Sequence, residues 1–419
     1  MNAPLRRNAC PSLAAPMPTG DGLLARLSFV SGGLSPDNLA LVAALAERHG
    51  NGLLEVTRRG SLQIRGLTAA SAERLSADVA AAGLDIRTGT AIDASALSGL
   101  DPACAGDPRR LAERLGAALD RQGLSLRLAP KVSVVIDGGG CLTMDEVLAD
   151  IRLVASANGW TVEVARCDGQ SSAGRVLDEA EALGRAVALL RAIAGLGRTA
   201  RAKNLPDACV SAVLGNFSRN RRPRAAGQPL DTFELRGGRS GVGIALPFGM
   251  APSSSLSALA SAARDEGIEE FRFAPGNALI AICRGSNGAR KIRDAAERLG
   301  FVTDAGDPRR RIAVCAGAPA CASGHVDARE VAAKLAAGDA VKNLAGRLHV
   351  SGCAKKCAEP SLFAYALVGR RDGAGIEDAG GREIGFVTGE DAAAGFERFL
   401  LARGVDADEG GRARLENGT

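Results

Sequence analysis

The spacing of apolar positions predicts a compact unit near the start of the chain. Over Leu23–Val30 apolar and polar residues alternate, with Ala25, Leu27 and Phe29 on one face, which predicts a strand. Ser35-Pro36 then opens a helix, with Ser as the N-cap and Pro at the first helical position. Leu41, Val42 and Leu45 make its apolar stripe, and Gly50 follows its end. A hairpin is predicted over Leu53–Thr57 and Ser61–Arg65, turning near Arg59-Gly60, and a helix over Ser71–Ala82 closes the unit. In the second arm Leu62 and Ile64 share one face, so Arg59, Ser61, Gln63 and Arg65 share the other. By itself such a face reads as solvated; the functional alternative is that it lines a polar cavity.

The same order of elements returns later. Leu246-Pro247-Phe248 answers Leu27-Ser28-Phe29, and a helix across Ser255–Asp265 answers the one after Ser35. Phe273–Ile280 answers Thr57–Ile64, and Ala289–Leu299 answers the closing helix. A separation of 216–219 residues relates these pairs, which predicts a duplicated strand–helix–strand–strand–helix unit. The polar hairpin face is seen only in the first copy, which points to its use.

A larger α/β segment follows each copy. In the first, Leu128-Ala129-Pro130-Lys131 leads a strand over Val132–Ile136, with Lys131 and Ser133 opposite Val132, Val134 and Ile136. Asp137-Gly138-Gly139-Gly140 is a turn, Leu177–Leu196 is helix-rich, and the basic loop Arg219–Arg224 marks a boundary. The second segment carries Arg309–Arg311 and then two cysteine pairs, Cys315 with Cys321 and Cys353 with Cys357.

Each cysteine pair follows a short apolar run, Ile312-Ala313-Val314 or Leu348-His349-Val350, and a helix-like segment separates them. This predicts two strands delivering cysteine loops at their carboxyl ends, the edge where open α/β sheets hold ligands. The first seven residues have no apolar run behind their arginines, so an exported, disulfide-forming protein is not expected. Four thiolates suit either zinc or an iron–sulfur cluster. The wide Cys315–Cys321 gap, with Gly317, Pro319 and Gly352 able to bring backbone close to inorganic sulfide, favours the cluster. Cys10, Cys104, Cys141, Cys167, Cys209 and Cys283 are scattered singly and read as buried small hydrophobes.

Composition narrows the classes. A length of 419 residues with 46% hydrophobic content suits several domains with real cores. No apolar run approaches the ~20 residues of a membrane span, so no membrane partner and a cytoplasmic location are expected. The net charge of +5 is modest, and aromatic content of 3% gives no stacking platform for nucleic acid. The tail from Gly404 is polar and reads as frayed.

The duplicated unit, the C-x5-C and C-x3-C pairs and the Thr57-x-Arg59-x-x-x-Gln63 strand together resemble the sulfite/nitrite reductase superfamily. Within it the chain is most similar to the precorrin-3B synthase family of aerobic cobalamin synthesis. That likeness rests on Ala9-Cys10-Pro11, Pro16–Leu24, Ser98-Gly99-Leu100-Asp101-Pro102, Lys131 before Ile136–Gly140, and His349–Lys355.

The resemblance implies an α/β (α+β) multidomain fold. Duplicated ferredoxin-like half-domains would join two larger α/β domains with pseudo-twofold symmetry. The expected boundaries are an irregular arm at 1–20, a half-domain at 21–90 and an α/β domain without cluster at 91–225. A second half-domain follows at 226–303, then a cluster-binding domain at 304–405 and a flexible tail at 406–419.

It further implies a monooxygenase using dioxygen to hydroxylate precorrin-3A at C20 with lactone formation, and a 4Fe–4S cluster on Cys315, Cys321, Cys353 and Cys357. Arg59 and Lys131, with Gln63 and Arg65, would line the tetrapyrrole cavity, and Arg58, Arg59, Arg65 and Arg309–Arg311 could dock its carboxylates. NADH or an equivalent supplies electrons, through a donor protein since no nicotinamide fingerprint is visible. The family is associated with a mononuclear non-haem iron, for which His325, Asp327 and His349 are near candidates but read as structural. The enzyme alternative is a sirohaem-dependent sulfite or nitrite reductase, and the other is a zinc-stabilised binding module. Ser133, and Thr90 with only Arg87 nearby, stand where reductases carry further cations, which weakens the reductase reading.

Overall fold

The computed structural model describes residues 11–403, apart from 31, 168–170, 219–226, 343, 345, 361 and 389–390. Cys10, the basic loop at Arg219–Arg224 and the tail from Gly404 lie outside the described residues. The chain forms two compact units, one of residues 1–17 and 23–303, the other of 18–22 and 304–419.

The first unit contains both copies of the duplicated element. In the first copy Gly22–Leu27 pairs antiparallel with Leu62–Leu67, which pairs in turn with Leu53–Val56. In the second, Arg239–Ala245 pairs with Ala278–Arg284, and that strand with Ile268–Ala274. Each sheet is then extended by a strand from the other copy. Met250–Pro252 lies beside Leu53–Val56, with Ala251 opposite Leu54, and Gly33–Leu34 lies beside Ile268–Ala274, with Leu34 opposite Phe271.

Both exchanged strands run directly into a helix. Ser35 accepts a bond from the Asn38 amide and Pro36 opens the helix Pro36–His49, whose counterpart is Ser253–Asp265. Leu39, Val42 and Leu45 of one helix and Leu256 and Leu259 of the other share one buried cluster with Leu54 and Phe271. The two copies therefore have one core. The predicted strand Leu23–Val30 ends early, at Leu27, but Phe29 is buried and stacks on Phe273 of the other copy at 5.6 Å. At the hairpin turn Gly60 has φ +78°, and a Cβ there would stand 2.9 Å from the Ala274 backbone. Only glycine fits a left-handed turn packed so closely.

One expectation needs correcting. The second copy has its own polar hairpin pair, Glu270 and Arg272, with Arg272 only 5% exposed. These residues lie on the arm before Phe273, where the matched stretch began, so the comparison of the two copies passed over them.

The two larger segments share one topology. In the first unit Ala91–Ala94, Ser133–Asp137 and Ile151–Ser156 are parallel, and Gly159–Ala165 and Ser171–Leu177 continue the sheet antiparallel. In the second unit Ile312–Val314, Leu348–Ser351 and Tyr365–Arg370 are parallel, followed by antiparallel Gly373–Asp378 and Glu383–Thr388. A helix joins the first two strands in each case, Pro108–Arg121 capped by Asp107 and Ala328–Ala337 capped by Asp327. The three strands between Ile151 and Leu177 were not expected from the sequence. Arg152 and Glu163 interrupt their apolar pattern, yet both are buried and face each other at 3.7 Å. No helix among the described residues is long and apolar enough to cross a membrane.

A shared core predicts shared loss. Phe271→Ala should destabilise the first unit by about 3–5 kcal/mol, lowering the denaturation midpoint. Amides of Leu53–Val56 and of Ile268–Ala274 should lose hydrogen-exchange protection together; loss confined to the second copy would refute a common core.

Candidate functional site

In the second unit, adjacent parallel strands bring the cysteine loops together. Val314 lies opposite Val350, so Cys315 and Cys353 leave the sheet side by side at its carboxyl edge. The Gly352 amide donates to the Cys315 sulfur at 3.1 Å, and the Cys315 amide to the Val350 carbonyl at 3.4 Å. Ser351 is fully buried, donates to the Cys353 carbonyl at 2.8 Å and lies 4.0 Å from the Cys315 sulfur.

Glycines let these loops approach backbone to backbone. A Cβ on Gly352 would come within 2.8 Å of the Gly317 Cα, and one on Gly20 within 2.1 Å of the Cys321 sulfur. The Gly20 carbonyl accepts from the Ala322 amide at 2.8 Å, so the turn at residues 18–22 closes over Cys321.

Between the last two cysteines Lys356 adopts φ +48°, unusual outside glycine. Its amine is tied to Glu377, a buried carboxylate that also meets Arg370 at 3.2 Å. This ion pair turns the lysine back toward the sheet. Burial pushes the Cys357 thiol up, and the nearby Cys315, Cys353 and Cys321 push it further. An all-sulfur donor set of this kind suits an iron–sulfur cluster.

Among the described residues no three His, Cys, Asp or Glu side chains gather as a single ion would require. His325, Asp327 and His349 therefore do not form a facial triad. Asp327 caps a helix, accepting from the Arg329 and Glu330 amides, and burial lowers the proton affinity of His349.

The first unit has matching loops with different chemistry. Cys104 follows Ala91–Ala94, and Cys141 follows Ser133–Asp137, positions that the sequence left without a role. Between them sits Asp101, 2% exposed, accepting from the Cys141 amide at 2.7 Å and the Ala103 amide at 2.8 Å. Burial, reinforced by the Asp101 carboxylate, pushes both thiols up to about 12. These two thiols thus adjoin a carboxylate rather than further thiols. The duplication was the signal that could have paired these loops with the cysteine loops of the second unit.

The first unit also encloses a cavity of 380 Å³. Arg59 reaches it from the hairpin turn, held by Asp93 at 2.6 Å and donating to the Leu148 carbonyl. Arg87 and Thr90 line it too, Arg87 donating to the Ile92 carbonyl. The other anticipated contacts lie elsewhere. Gln63 is buried between Arg26 at 2.9 Å and Glu55 at 3.2 Å, and Arg65 binds Glu55 at 2.8 Å. Lys131 is exposed and outside the lining. In the second unit Arg309 is forked to Asp307 at 2.6 Å, and Arg311 donates to the Val341 and Lys342 carbonyls.

The nitrite/sulfite reductase ferredoxin-like half domain family matches residues 15–82. The solved structure of Mycobacterium tuberculosis NirA superposes with a TM-score of 0.69 and 18% identity, over 93% of this chain and 82% of that one, which shows the fold. A sulfite reductase (ferredoxin) 2 of Mycolicibacterium paratuberculosis is 25% identical over 201 residues, 45% of this chain and 36% of that protein. A precorrin-3B synthase of Sinorhizobium sp is 36% identical over 383 residues, 89% of this chain and 83% of that protein. With likeness at that level over nearly the whole length, the chain belongs to the precorrin-3B synthase family.

Proposed function

We propose that this enzyme hydroxylates precorrin-3A at C20, with lactone formation, using dioxygen and electrons from NADH or an equivalent through a donor protein in the cytoplasm. Family membership supports the reaction, and one structural observation carries it further: Cys315 and Cys353 leave adjacent parallel strands at one sheet edge, with the Gly352 amide bonded to the Cys315 sulfur. We assign a 4Fe–4S cluster to Cys315, Cys321, Cys353 and Cys357. When bound, it supplies single electrons.

The chain's own groups do the rest. Gly20, Gly317 and Gly352 keep side chains out of the space where the loops meet, and the Gly352 amide is placed to bond a thiolate at Cys315. The Lys356–Glu377 pair holds the Cys353–Cys357 loop in its left-handed turn. Arg59, oriented by Asp93, presents a fixed cation to the cavity, suited to a carboxylate of the tetrapyrrole periphery. Gln63 and Arg65 support the hairpin through Glu55 and act on substrate only through Arg59's position.

Anaerobically purified protein incubated with precorrin-3A and labelled dioxygen should yield a product carrying one labelled oxygen. A stoichiometric sirohaem Soret band with no such product would instead establish a reductase. Cys353→Ser should abolish iron and acid-labile sulfide together with hydroxylation; full activity would remove the cysteine from the centre. Gly20→Ala leaves all four cysteines in place yet should sharply reduce cluster content, because its Cβ collides with the Cys321 sulfur. Arg59→Ala should raise the Kd for precorrin-3A about tenfold, the usual worth of a charge-assisted bond, with iron and sulfide unchanged.

A further inference from the structure

Among the described residues, one arginine of the first unit's cavity makes no hydrogen bond through its guanidinium. Arg59 is matched by Asp93. Buried Arg272 is matched by Glu270 at 2.7 Å and donates to the Ser98 carbonyl at 2.7 Å and the Ala96 carbonyl at 3.2 Å. Arg109 differs. Its backbone amide bonds Asp107 at 3.1 Å, but among the described residues nothing accepts from its guanidinium.

That guanidinium is half-buried on the cavity wall, with Nη2 3.5 Å from where a Cβ on Gly32 would lie. Glu270, Glu113 and Asp107 are within electrostatic range without bonding it. Burial, and then the like charge of Arg272, lower its proton affinity. Its guanidinium nitrogens remain reachable by water, and an anion entering the cavity would take the place of that water.

Small and aromatic residues also line the wall around it. One turn of the same helix contributes Ala112, Gly116 and Ala117 to the lining, and Phe29 and Phe273 face the space from the two copies. Such a surface takes an apolar ring edge, while the arginine takes a charged substituent on it. A cavity of 380 Å³ lies in the range of small-ligand pockets and suits one edge of a macrocycle.

We propose that Arg109 receives a carboxylate of the tetrapyrrole in a bidentate bond, separate from the one met by Arg59, and so sets which edge of the ring enters the cavity. This rests on the tetrapyrrole reading above and adds a second anchoring point to it.

The test is anaerobic equilibrium binding of precorrin-3A to the wild type, Arg109→Gln, Arg109→Lys and Arg110→Gln, each with a thermal melt. Arg110 is the exposed neighbour outside the cavity lining and controls for bulk charge. Arg109→Gln should raise Kd about ten- to a hundredfold without lowering Tm, because it breaks no side-chain bond made by the described residues. Lysine should restore part of the affinity, and Arg110→Gln should stay within about twofold of the wild type. Wild-type affinity in Arg109→Gln, with Arg59→Ala still impaired, would overturn this assignment and leave the tetrapyrrole reading standing. A lowered Tm with binding intact would make Arg109 structural and also overturn it. No binding by the wild type would defeat both.

Discussion

A sheet edge cannot stay unpaired inside a core, and the first unit depends on how its two copies meet that demand. Neither hairpin covers its own outer edge. Each receives a short strand from the other copy, Met250–Pro252 in one direction and Gly33–Leu34 in the other. Because those strands run straight into helices, the exchange also sets the helices against each other. The single core follows from that packing, and so does the cavity wall, since Phe29 and Phe273 meet only because the copies interlock.

The larger segments show how one topology can hold different chemistry. In both, parallel strands end side by side and their loops project from the carboxyl edge. In the second unit those loops carry four thiols and closely packed glycines. In the first, Asp101 occupies the space between Cys104 and Cys141 and satisfies the loop amides itself. There the two thiols adjoin a carboxylate, whereas in the second unit Cys357 adjoins other thiols. The same contrast explains the arginines. Arg59 and Arg272 are held by acids of their own unit, whereas the Arg109 guanidinium meets no acceptor among the described residues.

Much of this was legible in the residue order. Periods of two and near four located the hairpins and the helices Pro36–His49, Glu179–Gly195 and Ser253–Asp265, because burial on one face imposes that repeat. The cysteine pairs were legible for a similar reason, since β-branched runs announce the strands that deliver them. What escaped notice was polar and buried. The pairs Arg152 with Glu163 and Glu270 with Arg272 give no signal in the residue order, because a charge declares its partner only when both are placed. Gln63 and Arg65 looked like cavity residues for the converse reason: strand alternation gives the face, but not that Glu55 and Arg26 fill it.

By itself, then, the residue order determined the duplication, the strand-and-loop delivery of four cysteines and the family to which they belong. These depend on local periodicity and motif spacing, which are properties of neighbouring positions. Only the tertiary structure decided the exchange of strands between copies, the Asp101 stopper in the first unit and the place of the Arg109 guanidinium on the cavity wall. Each depends on contacts between segments far apart in the chain, Leu34 with Phe271 or Asp101 with Cys141, and no local pattern specifies which distant group will arrive.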